Sequence, residues 1–212
     1  MPETPNKASW YAVKVFYNKV FDMEDILAGM GLETYLPADL LELRGAAHMN
    51  AAKKIASVPP GSPIPAKYVK QGPVIYERKP MISSLIFVKA EEEAICEVDA
   101  RLRRDAEFDR LLGFIYKTAD WKDFAKIPEK QMESFRLVTM KGSEGLDFFA
   151  DDDISRYATG DKVRVVEGPL KGAEGYIKRI KKDRRLLVCV QGIIAVASSY
   201  IPMQMLEKVE DA

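Results

Sequence analysis

The chain has 212 residues, and its 32 Lys and Arg residues balance its 32 Asp and Glu residues. With no net charge, the chain as a whole is not drawn to nucleic acid or to a membrane, so any such contact must be local. An apolar fraction of 47% is enough to bury a core in one large domain or two small ones. Cys96 and Cys189 lie far apart among apolar neighbours, which favours buried thiols in a reducing compartment over a disulfide.

The first residues are polar and proline-marked, without the basic and apolar regions of a secretory signal. No apolar run reaches the length that spans a membrane. We therefore expect a soluble, cytoplasmic protein with no membrane contact.

The first elements alternate between strand and helix. Residues 9–17 are rich in aromatic and β-branched types, which fit a pleated strand. Residues 18–31 carry apolar side chains at helical spacing, with Asn18 as the expected cap and Gly31 as the stop. Residues 33–43 return as extended chain.

Residues 44–72 differ in composition from their surroundings. They are rich in Ala, Pro, Gly, Ser and Lys and hold few large aliphatic side chains. Such a segment buries too little apolar surface to offset the entropy of ordering it, so we expect a long, mobile insertion between two strands. The single histidine, His48, lies here without acidic, Cys or His partners, so neither a metal site nor a general base is expected.

A second set of strands and helices completes the first domain. These elements are strands at 74–78 and 81–88, a helix at 91–102, a strand at 111–116 and a helix that opens at Pro128. The strand at 81–88 is largely apolar and is therefore predicted to be central. The elements together predict an α+β domain over residues 8–140.

Residues 141–156 contain glycines, serines and an acidic run, which is typical of a linker. After the linker, residues 157–210 are predicted to be all strand. Val163 and Val165 alternate with polar residues, as in a half-buried strand. The turn Gly168-Pro169-Leu170-Lys171-Gly172 follows, and then Gly175 and a second apolar run. This strand–turn–strand unit resembles the KOW motif of small SH3-like barrels in transcription elongation factors and ribosomal proteins.

The order of all these elements resembles the NusG family of transcription elongation factors, including specialised paralogues such as RfaH and the UpxY antiterminators. The resemblance rests on Trp10-Tyr11-Ala12-Val13, the helix at 18–31, the apolar strand at 81–88 and the KOW stretch, and covers nearly all of the chain except 44–72. It implies an α+β fold in which an N-terminal RNP-like antiparallel sheet with helices is linked to an all-β SH3-like (KOW) barrel.

Two departures from the family pattern favour a specialised paralogue. Ile82-Ser83-Ser84-Leu85 stands where the family usually has Phe-Pro-x-Tyr, and Leu170 follows Pro169 where an aromatic is common. Each change removes an aromatic anchor but leaves an apolar one.

The resemblance implies a binding protein that holds RNA polymerase with its first domain and recruits a second partner with its barrel. By position, an apolar polymerase-binding patch comprises Phe16, Ile82, Leu85 and Phe87. The barrel's partner, a ribosomal protein or a termination factor, would contact Leu170, Lys171 and Ile193.

An alternative of another class is a ribosome-associated or RNA-binding KOW protein that holds phosphate with a basic turn. That turn, residues 178–185, holds six basic residues, of which one is Arg179 and the other five are the predicted nucleic-acid contacts, Lys178, Lys181, Lys182, Arg184 and Arg185. The strand–helix–strand domain that opens with Trp10-Tyr11 favours the polymerase-binding hypothesis. No phosphate-binding glycine loop, metal-ligand spacing or nucleophile motif is present, so we expect no catalytic residues, no metal, no cofactor and no enzyme activity.

Overall fold

The chain is described from a computed structural model, which covers residues 8–104, 113–150, 162–180, 182–190 and 192–209. It divides into two compact units, Met1–Phe124 and Ala125–Ala212. Helices combine with antiparallel sheets, so the predicted α+β class is confirmed. The predicted boundaries at 8–140, 141–156 and 157–210 differ from this division, because the last helix belongs to the second unit.

The first unit is built on a four-stranded antiparallel sheet of order β2-β6-β1-β7. Its strands are β1 (Ser9–Val15), β2 (Glu33–Tyr35), β6 (Leu85–Ala90) and β7 (Gly113–Ile115). Strand β6 lies between β1 and β2, as its apolar sequence predicted. Of the strand predicted at 111–116, residues 111 and 112 lie outside the described residues.

Two helices cover one face of this sheet, α1 (Val20–Gly29) and α3 (Glu92–Arg104). The core between sheet and helices contains a hydrophobic cluster that includes Tyr11, Val13, Val15, Met23, Leu27, Ile86, Val88, Ile95 and Val98. Helix α1 begins after Lys19 rather than after the predicted cap, Asn18, which has a left-handed φ of 55°. The helix ends before Gly31, where a φ of 77° suits glycine.

A three-stranded sheet and a helix form the rest of the first unit. The strands are β3 (Ala38–Glu42), β4 (Tyr68–Gln71) and β5 (Val74–Pro80), in the order β3-β5-β4, and the helix is α2 (Gly45–Ala56). The insertion expected at 44–72 therefore contains a helix and a strand. Its anchor is the small side chain of Ala51, which packs with Leu43 and Ile75.

Arg78 joins the three-stranded sheet to helix α1. Its Nη1 donates to Glu24 Oε2 at 2.6 Å and to the Ala66 carbonyl at 2.9 Å, and its Nη2 donates to the Leu36 carbonyl at 3.0 Å. The guanidinium also lies 5.4 Å from the ring centroid of Phe21. One partly buried cation thus satisfies groups from three segments of the unit.

The second unit combines helix α4 (Glu129–Thr139) with a six-stranded antiparallel sheet, here called the C-terminal sheet. Its strands are β8 (Asp147–Ala150), β9 (Lys162–Val165), β10 (Glu174–Ile180), β11 (Asp183–Val190), β12 (Ile194–Tyr200) and β13 (Leu206–Lys208), in the order β13-β9-β10-β11-β12-β8. Strand β8 lies in the predicted linker, 141–156, and pairs with β12. Helix α4 packs on β10 and β11 and buries Met132 and Phe135.

The predicted turn between β9 and β10 owes its shape to its glycines. Gly168 and Gly172 have φ angles of 81° and 93°, which side chains other than glycine rarely adopt. The Gly172 N–H donates to the Val165 carbonyl at 2.8 Å and closes the turn. At Gly175 the reason is space, because a Cβ there would overlap the backbone carbonyl of Leu187.

Candidate protein-binding surfaces

A cluster of aromatic side chains lies at the surface of the first unit, where β1 ends beside β7. Phe16 and Phe114 are each 41% exposed, and their ring centroids are 6.1 Å apart. The rings of Phe114 and Tyr116 are 5.4 Å apart. Because Lys14 is directly opposite Phe114 in the ladder, alternation places Phe16, Phe114 and Tyr116 on the same side of the sheet. These three residues are the aromatic cluster.

The turn that follows the cluster has an uncommon backbone. Tyr17 and Asn18 have φ angles of 56° and 55°, and the Tyr17 side chain is 72% exposed. A left-handed aromatic residue is rare, and such conformations cost of order 1–3 kcal/mol. The turn therefore keeps the side chain of Tyr17 in solvent, and Tyr17 directly follows Phe16 of the aromatic cluster in the sequence.

The structure separates the four residues predicted to bind polymerase. Phe16 is exposed and Ile82 is half-buried, but Leu85 and Phe87 are buried, with exposures of 3% and 0%. The Phe87 ring packs near Tyr35, with 6.5 Å between centroids. Leu85 and Phe87 are therefore not surface contacts in this structure. Sequence reasoning missed Phe114, although its place next to the buried Ile115 in a short strand is the signal for an outward-facing aromatic.

The predicted partner-binding residues of the second unit also differ in exposure. Leu170 is half-buried and Lys171 is exposed, and both stand in the turn between β9 and β10. Ile193 is buried, with an exposure of 4%. Leu170 and Ile193 therefore do not form a surface pair, and Leu170 and Lys171 are the accessible residues among the three.

Basic side chains concentrate on the hairpin of β10 and β11. Arg179 is directly opposite Arg184, and Lys178 is directly opposite Arg185. Like charges in directly opposite positions repel. Arg185 is compensated by an ion pair with Asp147 of β8, whereas Arg179, Lys182 and Arg184 form no ion pair with another described residue. Of the predicted nucleic-acid contacts, Lys181 lies outside the described residues.

Glu174 forms a second charged cluster on the C-terminal sheet, and its backbone N–H joins the sheet to helix α4. Glu174 accepts two hydrogen bonds from Arg164, at 2.9 and 2.6 Å, and lies 3.7 Å from Lys162 Nζ. Burial alone would raise the pKa of Glu174, but these cations outweigh it and lower the pKa. The Glu174 N–H donates to Ser134 Oγ of α4 at 2.9 Å.

Metal binding and nucleophilic chemistry each need a particular arrangement of potential metal ligands and thiols. No group of three or more His, Cys, Asp or Glu side chains in those ranges is placed to hold a metal ion. His48 Nε2 lies 3.1 Å from the Pro73 carbonyl. Burial raises the pKa of the Cys189 thiol to about 11, so the nucleophilic thiolate is scarce there at neutral pH. Of the helices described, none has the length and apolar character to cross a membrane.

Comparisons with known proteins find a likeness to solved structures. No protein-family model matches the chain, and no curated protein matches it. Among solved structures, the chain is similar to one described as "Domain interaction in Thermotoga maritima NusG", with a TM-score of 0.40 and 14% identity over 96% of this chain and 98% of that chain.

Proposed function

We propose that the protein is a transcription elongation or antitermination factor that binds RNA polymerase with its first unit and recruits a second partner with its second unit. The observation that carries the proposal is the exposed aromatic cluster of Phe16, Phe114 and Tyr116. It includes one residue of the patch that the NusG resemblance implies and lies on a rigid sheet. Contiguous apolar groups on a protein surface mark interaction sites.

Aromatic side chains are effective anchors for a protein partner. Their large area is buried at little entropic cost, and truncating such an anchor typically costs 2 kcal/mol or more of binding energy. A factor that binds one conformation of the polymerase more tightly than another shifts the population toward that conformation without any chemistry. Suppression of pausing or termination therefore needs only a surface of this kind.

The polymerase contact is tested by measuring how tightly purified core RNA polymerase binds to the immobilised full-length chain. Phe16→Ser and Phe114→Ser should each weaken binding by about 2 kcal/mol, or about thirtyfold. Leu40→Ser is the matched control, since Leu40 is 52% exposed but belongs to the three-stranded sheet. Unchanged binding in folded Phe16 and Phe114 variants would refute the assignment of the aromatic cluster.

The recruiting half of the proposal assigns Leu170 and Lys171 to the second partner, a ribosomal protein or a termination factor. The turn that holds them is fixed by three backbone hydrogen bonds, from Lys171, Gly172 and Ala173 N–H groups. A fixed turn loses little entropy when a partner binds. Action in the cytoplasm and a role as a specialised paralogue, in the manner of RfaH or UpxY, belong to the same proposal.

A second candidate function, RNA binding, is favoured by the directly opposed Arg179 and Arg184. A phosphate between them would relieve their repulsion, and a contact of this kind is strongly salt-dependent. Arg184→Gln should lower the slope of log affinity against log salt by about 1 for single-stranded RNA. An unchanged slope would remove Arg184 from any phosphate contact.

A further inference from the structure

The second unit contains an apolar pocket of about 330 Å³ beside the turn of Leu170. Its walls include Val138 from α4, Leu146, Val165, Leu170, Ile201 and Met205. The volume lies at the lower end of the range for ligand pockets, roughly 300–1,000 Å³, so the pocket holds more than one apolar side chain. It draws its walls from α4, from the strand ends and from the predicted linker.

Charged groups at the pocket are mainly acidic. Glu144 and Glu167 line it and are exposed, and neither forms an ion pair with another residue in the described ranges. Lys141 is the one basic side chain among the lining residues, and Lys171 of the neighbouring turn does not line the pocket. The carboxylates outnumber the ammonium group, so an apolar ligand with a positive charge is electrostatically favoured over one with a negative charge.

Large apolar side chains near the pocket are exposed to an unusual degree. Tyr200 lines it and is 60% exposed, and Met140 and Met203, which adjoin lining residues in sequence, are 72% and 52% exposed. Tyrosine and methionine are enriched at protein interfaces, and methionine adapts its shape to a partner. Exposed groups of this kind are suited to a polypeptide that extends beyond the pocket.

We propose that this pocket binds a segment of a partner protein that carries two neighbouring apolar side chains and flanking Lys or Arg residues. The proposal rests on the proposed recruiting function of the second unit and specifies the chemistry of its partner. The apolar side chains fill the pocket beside Leu170, and the basic residues pair with Glu144 and Glu167. The pocket includes α4, so the segment contacts both the helix and the C-terminal sheet.

The test uses the ¹⁵N-labelled full-length chain and two capped tetrapeptides, Lys-Phe-Leu-Lys and Glu-Phe-Leu-Glu. Titration followed by NMR should show amide shifts in the pocket, at Glu144, Glu167, Leu170 and Tyr200, with the basic peptide binding at least about tenfold more tightly. The double variant Glu144→Lys/Glu167→Lys should reverse this preference. Both glutamates are exposed, so the change leaves the fold intact.

Glu133→Lys is the matched control, because Glu133 is an exposed residue of α4 that does not line the pocket. It should leave the peptide preference as in the parent chain. No binding of either peptide, equal binding of both, or shifts confined to residues outside the pocket would overturn the proposal. Polymerase binding by the first unit is measured separately with the Phe16 variant, so failure here is distinguishable from failure of the proposed polymerase contact.

Discussion

Replacing Arg78 should destabilise the first unit strongly, because it leaves a buried carboxylate without its cation. The side chains of Arg78 and Glu24 are only 18% and 10% exposed. Breaking a buried pair by removing one partner typically costs about 3–5 kcal/mol. Arg78→Met keeps most of the apolar stem but removes the donors to Glu24, Ala66 and Leu36. We expect a loss of that size at pH 7.

The pH dependence of the variant is a second readout. Burial raises the pKa of Glu24 even though Arg78 opposes it, and removing Arg78 removes that opposition. A raised carboxyl pKa contributes stability below the unfolded-state pKa, and this contribution is lost as the pH rises through the folded-state pKa. The deficit of Arg78→Met should therefore shrink as the pH is lowered from 7 and Glu24, with its raised pKa, takes up a proton.

Urea unfolding followed by tryptophan fluorescence measures this loss in the first unit. The chain has two tryptophans, Trp10 and Trp121, and both lie in that unit. Arg44→Met is the control, since the Arg44–Glu42 pair is exposed and its removal should leave the midpoint unchanged. A loss below 1 kcal/mol for Arg78→Met, or a deficit that grows on acidification, would refute the reasoning.

Two further predictions concern thiol reactivity and glycine packing. Cys96 is exposed and should react with a thiol reagent at pH 8. Cys189 has a raised pKa of about 11 and should react only after unfolding. Equal reaction rates of the two thiols in the native chain would contradict this prediction. Gly175→Ala should lower the unfolding free energy of the second unit by about 1–3 kcal/mol through overlap with the Leu187 carbonyl. The Cβ that Gly29→Ala adds in α1 meets no atom within 4 Å, so this change should stabilise the first unit by about 0.5–1 kcal/mol. Thermal unfolding followed by circular dichroism measures the effect of Gly175→Ala and of Gly29→Ala.

The sequence was most informative where one residue type serves one local geometry. The turn at Gly168 and Gly172 was predicted from its glycines, and both have the left-handed φ that only glycine adopts freely. The apolar strand predicted near 81–88 is β6, between β1 and β2. Patterns of this kind depend on a few neighbours in sequence, so they can be recognised without knowledge of the rest of the fold.

The helix in the predicted insertion was missed because its buried face is small. Ala51 contributes its single methyl group to the cluster with Leu43 and Ile75, and the rest of α2 is mostly exposed. A count of large aliphatic side chains therefore underestimates the order of residues 44–72. Alanine and lysine favour helix on their own account, which a count of buried apolar surface does not include.

The residues predicted to bind polymerase show a limit of a different kind. A strand that is buried on both faces does not reveal from its sequence which of its residues a partner can reach. In β6 the alternating pair Ile86 and Val88 packs under the helices, and Leu85 and Phe87 are buried as well. Exposure falls instead on Phe16, which follows β1, and on Phe114, the middle residue of β7.

The basic hairpin shows how a distant residue changes a local prediction. Composition assigned Asp147 to a linker and Arg185 to a phosphate-binding turn, yet the two form one ion pair across 38 residues of chain. Arg185 is 15% exposed in that pair, so its charge serves the C-terminal sheet rather than a ligand. The proposed phosphate contact of the hairpin would then depend on Arg179 and Arg184, whose repulsion has no such compensation among the described residues. Arg185→Gln should accordingly destabilise the second unit more than it weakens RNA binding, and Arg184→Gln should do the opposite. Urea unfolding measures the change in stability, and RNA titration measures the change in affinity. The reverse order of effects would show that Arg185 contacts the RNA.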